Sequence, residues 1–76
     1  MKINNMSKYI INKNAQPTGE NEVHEEARCH HLPLPENRIF IGYFDTCWSA
    51  IAAAKVKWPT NIIDGCAYCC PACNKG

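Results

Sequence analysis

Four of the chain's six cysteines, Cys66, Cys69, Cys70 and Cys73, fall within eight residues as two CxxC units laid end to end. A CxxC turn brings two sulfurs close together with backbone N–H groups aimed at them, so both can bind one ion as thiolates. Tetrahedral zinc takes four ligands, commonly two from each of two chain segments. The downstream pair is Cys66/Cys69 or Cys70/Cys73. The upstream pair is best drawn from His24 and Cys29, whose four intervening residues let a loop wrap an ion.

Local geometry weighs between the two downstream pairs. On a helix all four cysteines would share one face, but Cys66 and Cys73 would stand about 11 Å apart, two turns, so only two sulfurs could easily reach the same ion. Pro71 suits the first turn of a helix that starts near Cys69 or Cys70 and leaves Cys66 in the loop before it. This favours Cys66 and Cys69 as the metal pair. Cys70 and Cys73 are then structural, or an exchange pair: a CPxC unit at a helix start lowers the pKa of its first thiol.

The elements that must position these residues follow from pattern. Residues 8–12, Lys-Tyr-Ile-Ile-Asn, are short and β-branched and predict a strand. Residues 13–21 have turn composition, and residues 22–24 resume extended structure to give a hairpin. Residues 25–37 form a loop held extended by Pro33 and Pro35. Residues 38–44, Arg-Ile-Phe-Ile-Gly-Tyr-Phe, are apolar on both faces and predict a central strand. A helix over about 45–58 starts at the capping residues Asp45 or Thr46 and stops at Pro59. Its docking stripe is Cys47, Ile51, Ala54 and Trp58, widened by Trp48 and Ala52. Ile62 and Ile63 predict an edge strand, and Asp64-Gly65 turns the chain into the cysteines.

The remaining chemistry-bearing residues have plain structural roles. Cys47, on the helix stripe, is expected to be a small buried hydrophobe, with a disulfide or a fifth metal ligand as the alternative. His30 and His31 are expected in solvent, Trp48, Trp58, Phe40 and Tyr43 in the core, and Glu25-Glu26 as a solvated pair.

Seventy-six residues make one domain, here 8–76 after a disordered 1–7. So small a chain buries little apolar surface and needs a staple. The first residues show no apolar run or cleavage site of an export signal, and nothing has the length of a membrane span. The expected compartment is the cytoplasm, where closely spaced cysteines hold metal more often than they pair. Eight Lys/Arg and seven Asp/Glu, a net charge of +1, give no bias toward nucleic acid or membrane. The fold class expected is α+β: a small antiparallel sheet, one main helix and a short C-terminal helical turn, stapled by a metal site.

The order Val23-His24, Cys29, Leu32-Pro33, then Glu36-Asn37-Arg38-Ile39-Phe40, a helix with Ser49-Ala50 and Ala53-Ala54, and Gly65-Cys66-Ala67-Tyr68-Cys69 resembles the zinc domain of Ada-type DNA-repair methyltransferases. The LPxPEN element at 32–37 and the GCxYC element at 65–69 also resemble a group of small, zinc-ribbon-like bacterial proteins. The resemblance covers about residues 22–70. It implies an α+β fold with one zinc ion held by Cys29, Cys66, Cys69 and His24. Ada-type methyl transfer uses an all-cysteine site and a positive surface. The histidine in the ligand set and the near-neutral charge here depart from both. The expected function is a non-enzymatic, zinc-stabilised module that binds a protein or nucleic acid. The alternatives are a thiol-redox or metal-handling protein using Cys70/Cys73 and a disulfide-stapled domain.

Overall fold

A computed structural model describes residues 5–76. Of the N-terminal segment expected to be disordered, residues 1–4 lie outside the described residues, and Ser7 opens the first strand. The elements are β1 (Ser7–Asn12), β2 (Glu20–Glu25), β3 (Arg38–Phe44), α1 (Cys47–Lys57) and β4 (Ile62–Gly65), with 3₁₀ turns at Pro35–Asn37 and Pro71–Cys73. The strands form one sheet in the order β3-β1-β2-β4. The class is α+β, and the sheet is mixed: β1 runs antiparallel to β2 and β3, whereas β4 lies parallel to β2.

Alternation along β1 divides the two faces of the sheet. Tyr9 and Ile11 join Val23, Ile41 and Ile63 in a core under α1, which contributes Ala50, Ile51 and Ala54. Ile10 points the other way and pairs with His24 across β2 and with Phe40 across β3. Both Ile10 and His24 are buried. The sheet therefore has a buried centre on each side, and the second is the one that carries the histidine.

Two details fix β4 against β2. The buried Asn21 donates from Nδ2 to the carbonyls of Asn12 and Lys13 and accepts at Oδ1 from Asn61 Nδ2, tying the hairpin to the residue just before β4. Farther along, the N–H of Cys66 donates to Val23 O at 2.9 Å, extending the ladder to the first residue of the cysteine cluster. Gly65 is where the returning chain comes closest. A Cβ there would meet Cys73 Cβ at 2.8 Å and the Cys70 carbonyl oxygen at 3.0 Å.

Three expectations need correction. The strand at 38–44 is an edge strand, because the short β1 is paired on both sides and takes the central position with β2. Its aromatic residues Phe40 and Tyr43 are about half exposed rather than core, touching each other edge-on at 5.6 Å, with Lys8 Nζ over the Phe40 ring. On α1, Trp48 and Ala52 are exposed, and Ala50 takes their place on the docking face. At about 100° per residue, Trp48 and Ala52 lie roughly 100° and 140° round from Cys47, off the face that Ala50, Ile51 and Ala54 present to the sheet. The helix starts as expected, with Thr46 Oγ1 accepting from Ser49 N at 3.2 Å. No helix among the described residues is long and apolar enough to cross a membrane.

Candidate metal centre

Each side of the site is built by a strand that ends in a tight turn. β2 presents His24 on its second face and then closes a turn in which the N–H groups of Arg28 and Cys29 both reach Glu25 O. This returns the buried Cys29 sulfur to His24 Nδ1 at 3.4 Å. β4 delivers Cys66, and the N–H of Cys70 donates to Cys66 O at 2.8 Å to close the second turn over Cys69. Ligand atoms of His24, Cys29, Cys66 and Cys69 lie within 4.8 Å of one another, a group that could hold a metal ion.

Three of the six separations match those expected on one tetrahedral ion. With metal–sulfur bonds of about 2.3 Å, two sulfurs on such an ion lie about 3.8 Å apart, and a sulfur and an imidazole nitrogen about 3.6 Å apart. Cys29 and Cys66 sulfurs are 3.8 Å apart, and His24 Nδ1 stands 3.4 Å from Cys29 Sγ and 3.9 Å from Cys69 Sγ.

Backbone amides complete the surroundings. His31 N donates to Cys29 Sγ, Tyr68 N to Cys66 Sγ and Glu25 N to Cys69 Sγ, at 3.3–3.4 Å. Such donors stabilise negative charge on sulfur and orient the ligands. His31 and Tyr68 each sit two residues after a ligand cysteine, and their exposed rings stack at 3.6 Å, joining the two turns. On the far side of the imidazole, His24 Nε2 lies 3.9 Å from Glu22 Oε1.

Burial governs the electrostatics. It holds the His24 imidazole below its ordinary value, with the charges of Arg38 and His31 adding to the effect, so the ring is neutral and Nδ1 can bind a cation. Burial also pushes the Cys29 thiol up and the Cys66 thiol up to about 12. Cys69 is raised as well, first by the adjacent Cys70 thiol and then by burial. Three thiols that resist ionisation, two of them buried, beside a neutral imidazole are a site that a divalent cation can turn to thiolates, because metal binding displaces the protons.

The other cysteines are placed differently from the expectation. Cys47 is not a free apolar residue of the helix stripe: it is joined to Cys73 by a disulfide, with Cα atoms 6.4 Å apart. Cys73 is therefore not paired with Cys70, and the exchange pair suggested by the CPxC spacing is not formed. Cys70 is a buried free thiol whose sulfur lies 3.7 Å from Cys69 Sγ. Either sulfur could donate in that contact, which raises the Cys69 thiol and lowers that of Cys70. His30 and His31 are exposed. The Glu25-Glu26 pair is engaged: Glu26 with Lys8 at 3.1 Å and with Arg38, Glu25 with Arg28.

Comparison with protein-family models, curated proteins and solved structures finds no match to this chain.

Proposed function

We propose that the protein is a non-enzymatic binding module stabilised by one zinc ion held by His24, Cys29, Cys66 and Cys69. The observation that carries the proposal is the convergence of those four ligand atoms, two from each of two turns, with three of their six separations matching those expected on a tetrahedral ion. Three thiolates and a neutral imidazole suit zinc, whose structural sites are closed by four protein ligands and leave no position for substrate.

A structural role is also favoured over thiolate chemistry. Each ligand sulfur accepts a backbone N–H, which lowers its nucleophilicity, and Cys29 and Cys66 are buried. A divalent ion with three thiolates leaves the centre at a net charge of −1, less electron-rich than an all-cysteine site. The likeness to the Ada-type zinc domain supports the ligand order and not the methyl transfer.

The test is native mass spectrometry of protein purified under reducing conditions without added metal. One zinc per chain is expected for the wild type and for Cys73→Ser, and none for Cys66→Ser. A metal-free wild type, or zinc retained by Cys66→Ser, would overturn the proposal.

A further inference from the structure

On the helix side of the sheet, away from the metal ligands, a groove of about 220 Å³ opens between α1, β4 and the C-terminal tail. Its apolar lining is Trp48, Ile51, Ala52, Ile63 and Cys73, and Lys55 and Lys75 line it as well. Trp48, which the sequence assigns to the core, is 54% exposed.

The groove is built and held. The disulfide anchors Cys73, and with it the tail, to the first residue of α1. The buried Asp64 then holds the next two residues: its Oδ1 accepts from Lys75 N at 2.9 Å and from Gly65 N, and its Oδ2 accepts from Asn74 Nδ2. These bonds hold the Lys75 backbone at the groove, which Lys55 also lines. Asp64 also lines the groove, but its oxygens are taken by those three donors and it is only 7% exposed. Neither Lys55 nor Lys75 has a carboxylate partner among the described residues, whose cation–carboxylate pairs involve Lys8, His24, Arg28 and Arg38.

We infer that this groove is the module's docking surface, and that its partner is a peptide segment carrying one bulky apolar side chain next to acidic residues. The apolar side chain lies against Trp48, Ile51 and Ile63, and the carboxylates meet the two lysines. The volume is too small for a drug-sized ligand, whose pockets run from about 300 Å³ upward, and suits a single large side chain. Two lysines that line an apolar groove without a carboxylate partner among the described residues select anionic over cationic neighbours. The inference rests on the binding-module proposal for its function, but shares no residue with the metal site.

The experiment titrates the zinc-loaded protein with the peptide Glu-Glu-Phe-Glu-Glu and, separately, with Lys-Lys-Phe-Lys-Lys, following amide and indole N–H resonances. The acidic peptide is expected to shift Trp48, Lys55 and Lys75, and the basic one to leave them unmoved. Charge reversal at Lys55→Glu or Lys75→Glu should weaken binding about tenfold or more, as for truncation of a steering ion pair in a partly desolvated site. Both positions are exposed, so the variants keep the fold and their zinc, and native mass spectrometry on the same samples checks the metal. Loss of peptide binding with zinc retained is the expected pattern. Several results would overturn the inference: an acidic peptide that fails to bind below about 1 mM, equal binding of both peptides, shifts mapping outside the groove, or self-association that moves the same resonances. Loss of zinc from the wild type would instead strike the metal proposal and leave the groove to be judged by its own shifts.

Discussion

The two CxxC units have the same spacing and are adjacent in the chain, yet they serve opposite sides of the sheet. Cys66 follows β4 directly, pairs with Val23 through its N–H, and faces His24 and Cys29 together with Cys69. Four residues later the pattern repeats. There Pro71 sets a 3₁₀ turn, Cys70 is left as a buried thiol in the helix-side core, and Cys73 crosses to Cys47. Spacing alone determines how close two sulfurs can come. What they bind is decided by the segment the fold brings opposite: the end of β2 and its turn for the first unit, the first turn of α1 for the second. One chain of 76 residues thus has a disulfide and a separate group that could hold a metal, sharing no residue.

The staples should differ in strength, and removing each in turn measures the difference. Stripping the metal with a chelator is expected to have the largest effect. Apparent binding energies of structural zinc sites, about 10–16 kcal/mol, match or exceed the whole stability of a small domain, about 5–15 kcal/mol. Circular dichroism should show the chain unfolding as the ion leaves, with refolding on adding zinc. A native-like spectrum and thermal transition without metal would show that the helix-side core and its disulfide suffice.

Replacing Cys47 and Cys73 together by serine should cost less. The bridge spans 26 residues, for which the chain-entropy relation gives about 3.5 kcal/mol at 25 °C. The double variant should melt well below the wild type yet keep one zinc, and a reducing agent should give the wild type the same shift. Zinc lost along with the bridge would mean that the two staples are one cooperative unit.

Acid separates them further. Burial holds the folded-state His24 imidazole below its ordinary value, so the unfolded chain takes up the proton first. The stability tied to the neutral ring is whole above about pH 6.5, the unfolded value, and is lost as pH falls through the lower folded value. Metal binding has the same sign, since protons compete with the cation for imidazole and thiolates. Zinc retention measured from about pH 8 down to about pH 5 should fall on the acid side. It should fall alike in the wild type and in the Cys47/Cys73 double serine variant, because a disulfide does not titrate. Retention flat across that range would remove His24 from the ligand set.

Much of the molecule can be read from the sequence because the signals are local. The β-branched run at 8–12, the Thr46 cap, the alanine-rich stretch and Pro59 each act within a few residues, and strand and helix appear where they place them. The histidine and three cysteines singled out by HxxxxC and CxxC spacing come together because each pair is fixed by its own turn. What was not legible depends on contacts between distant segments. The edge position of β3, the parallel pairing of β4 with β2 and the bridge from Cys47 to Cys73 all follow from the chain returning after α1 to the far side of β2. The exposed aromatics misled for a related reason. Phe40, Tyr43 and Trp48 are bulky enough to count as core, but among the described residues Phe40 and Tyr43 stay about half exposed at the β3 edge, and one helix turns only one face inward.

The smallest expected effect tests how the second CxxC unit gets its partner. Cys47 is the first residue of α1, so the place where the helix begins also places the sulfur that captures Cys73. Thr46 fixes that beginning: its backbone is extended, and its Oγ1 takes the Ser49 N–H that would otherwise lack an acceptor. Thr46→Ala should cost about 1 kcal/mol, the usual loss for an N-cap threonine. In a domain of this size that lowers Tm by roughly 4–8 °C. Zinc content should not change, because none of the four candidate ligands lies on α1. If the cap only stabilises the helix, the same decrease should appear in the double serine variant. If it also presents Cys47 to Cys73, the decrease should be larger when the bridge is intact and slower reoxidation should accompany it, so the two variants together separate helix stability from the positioning of the sulfur.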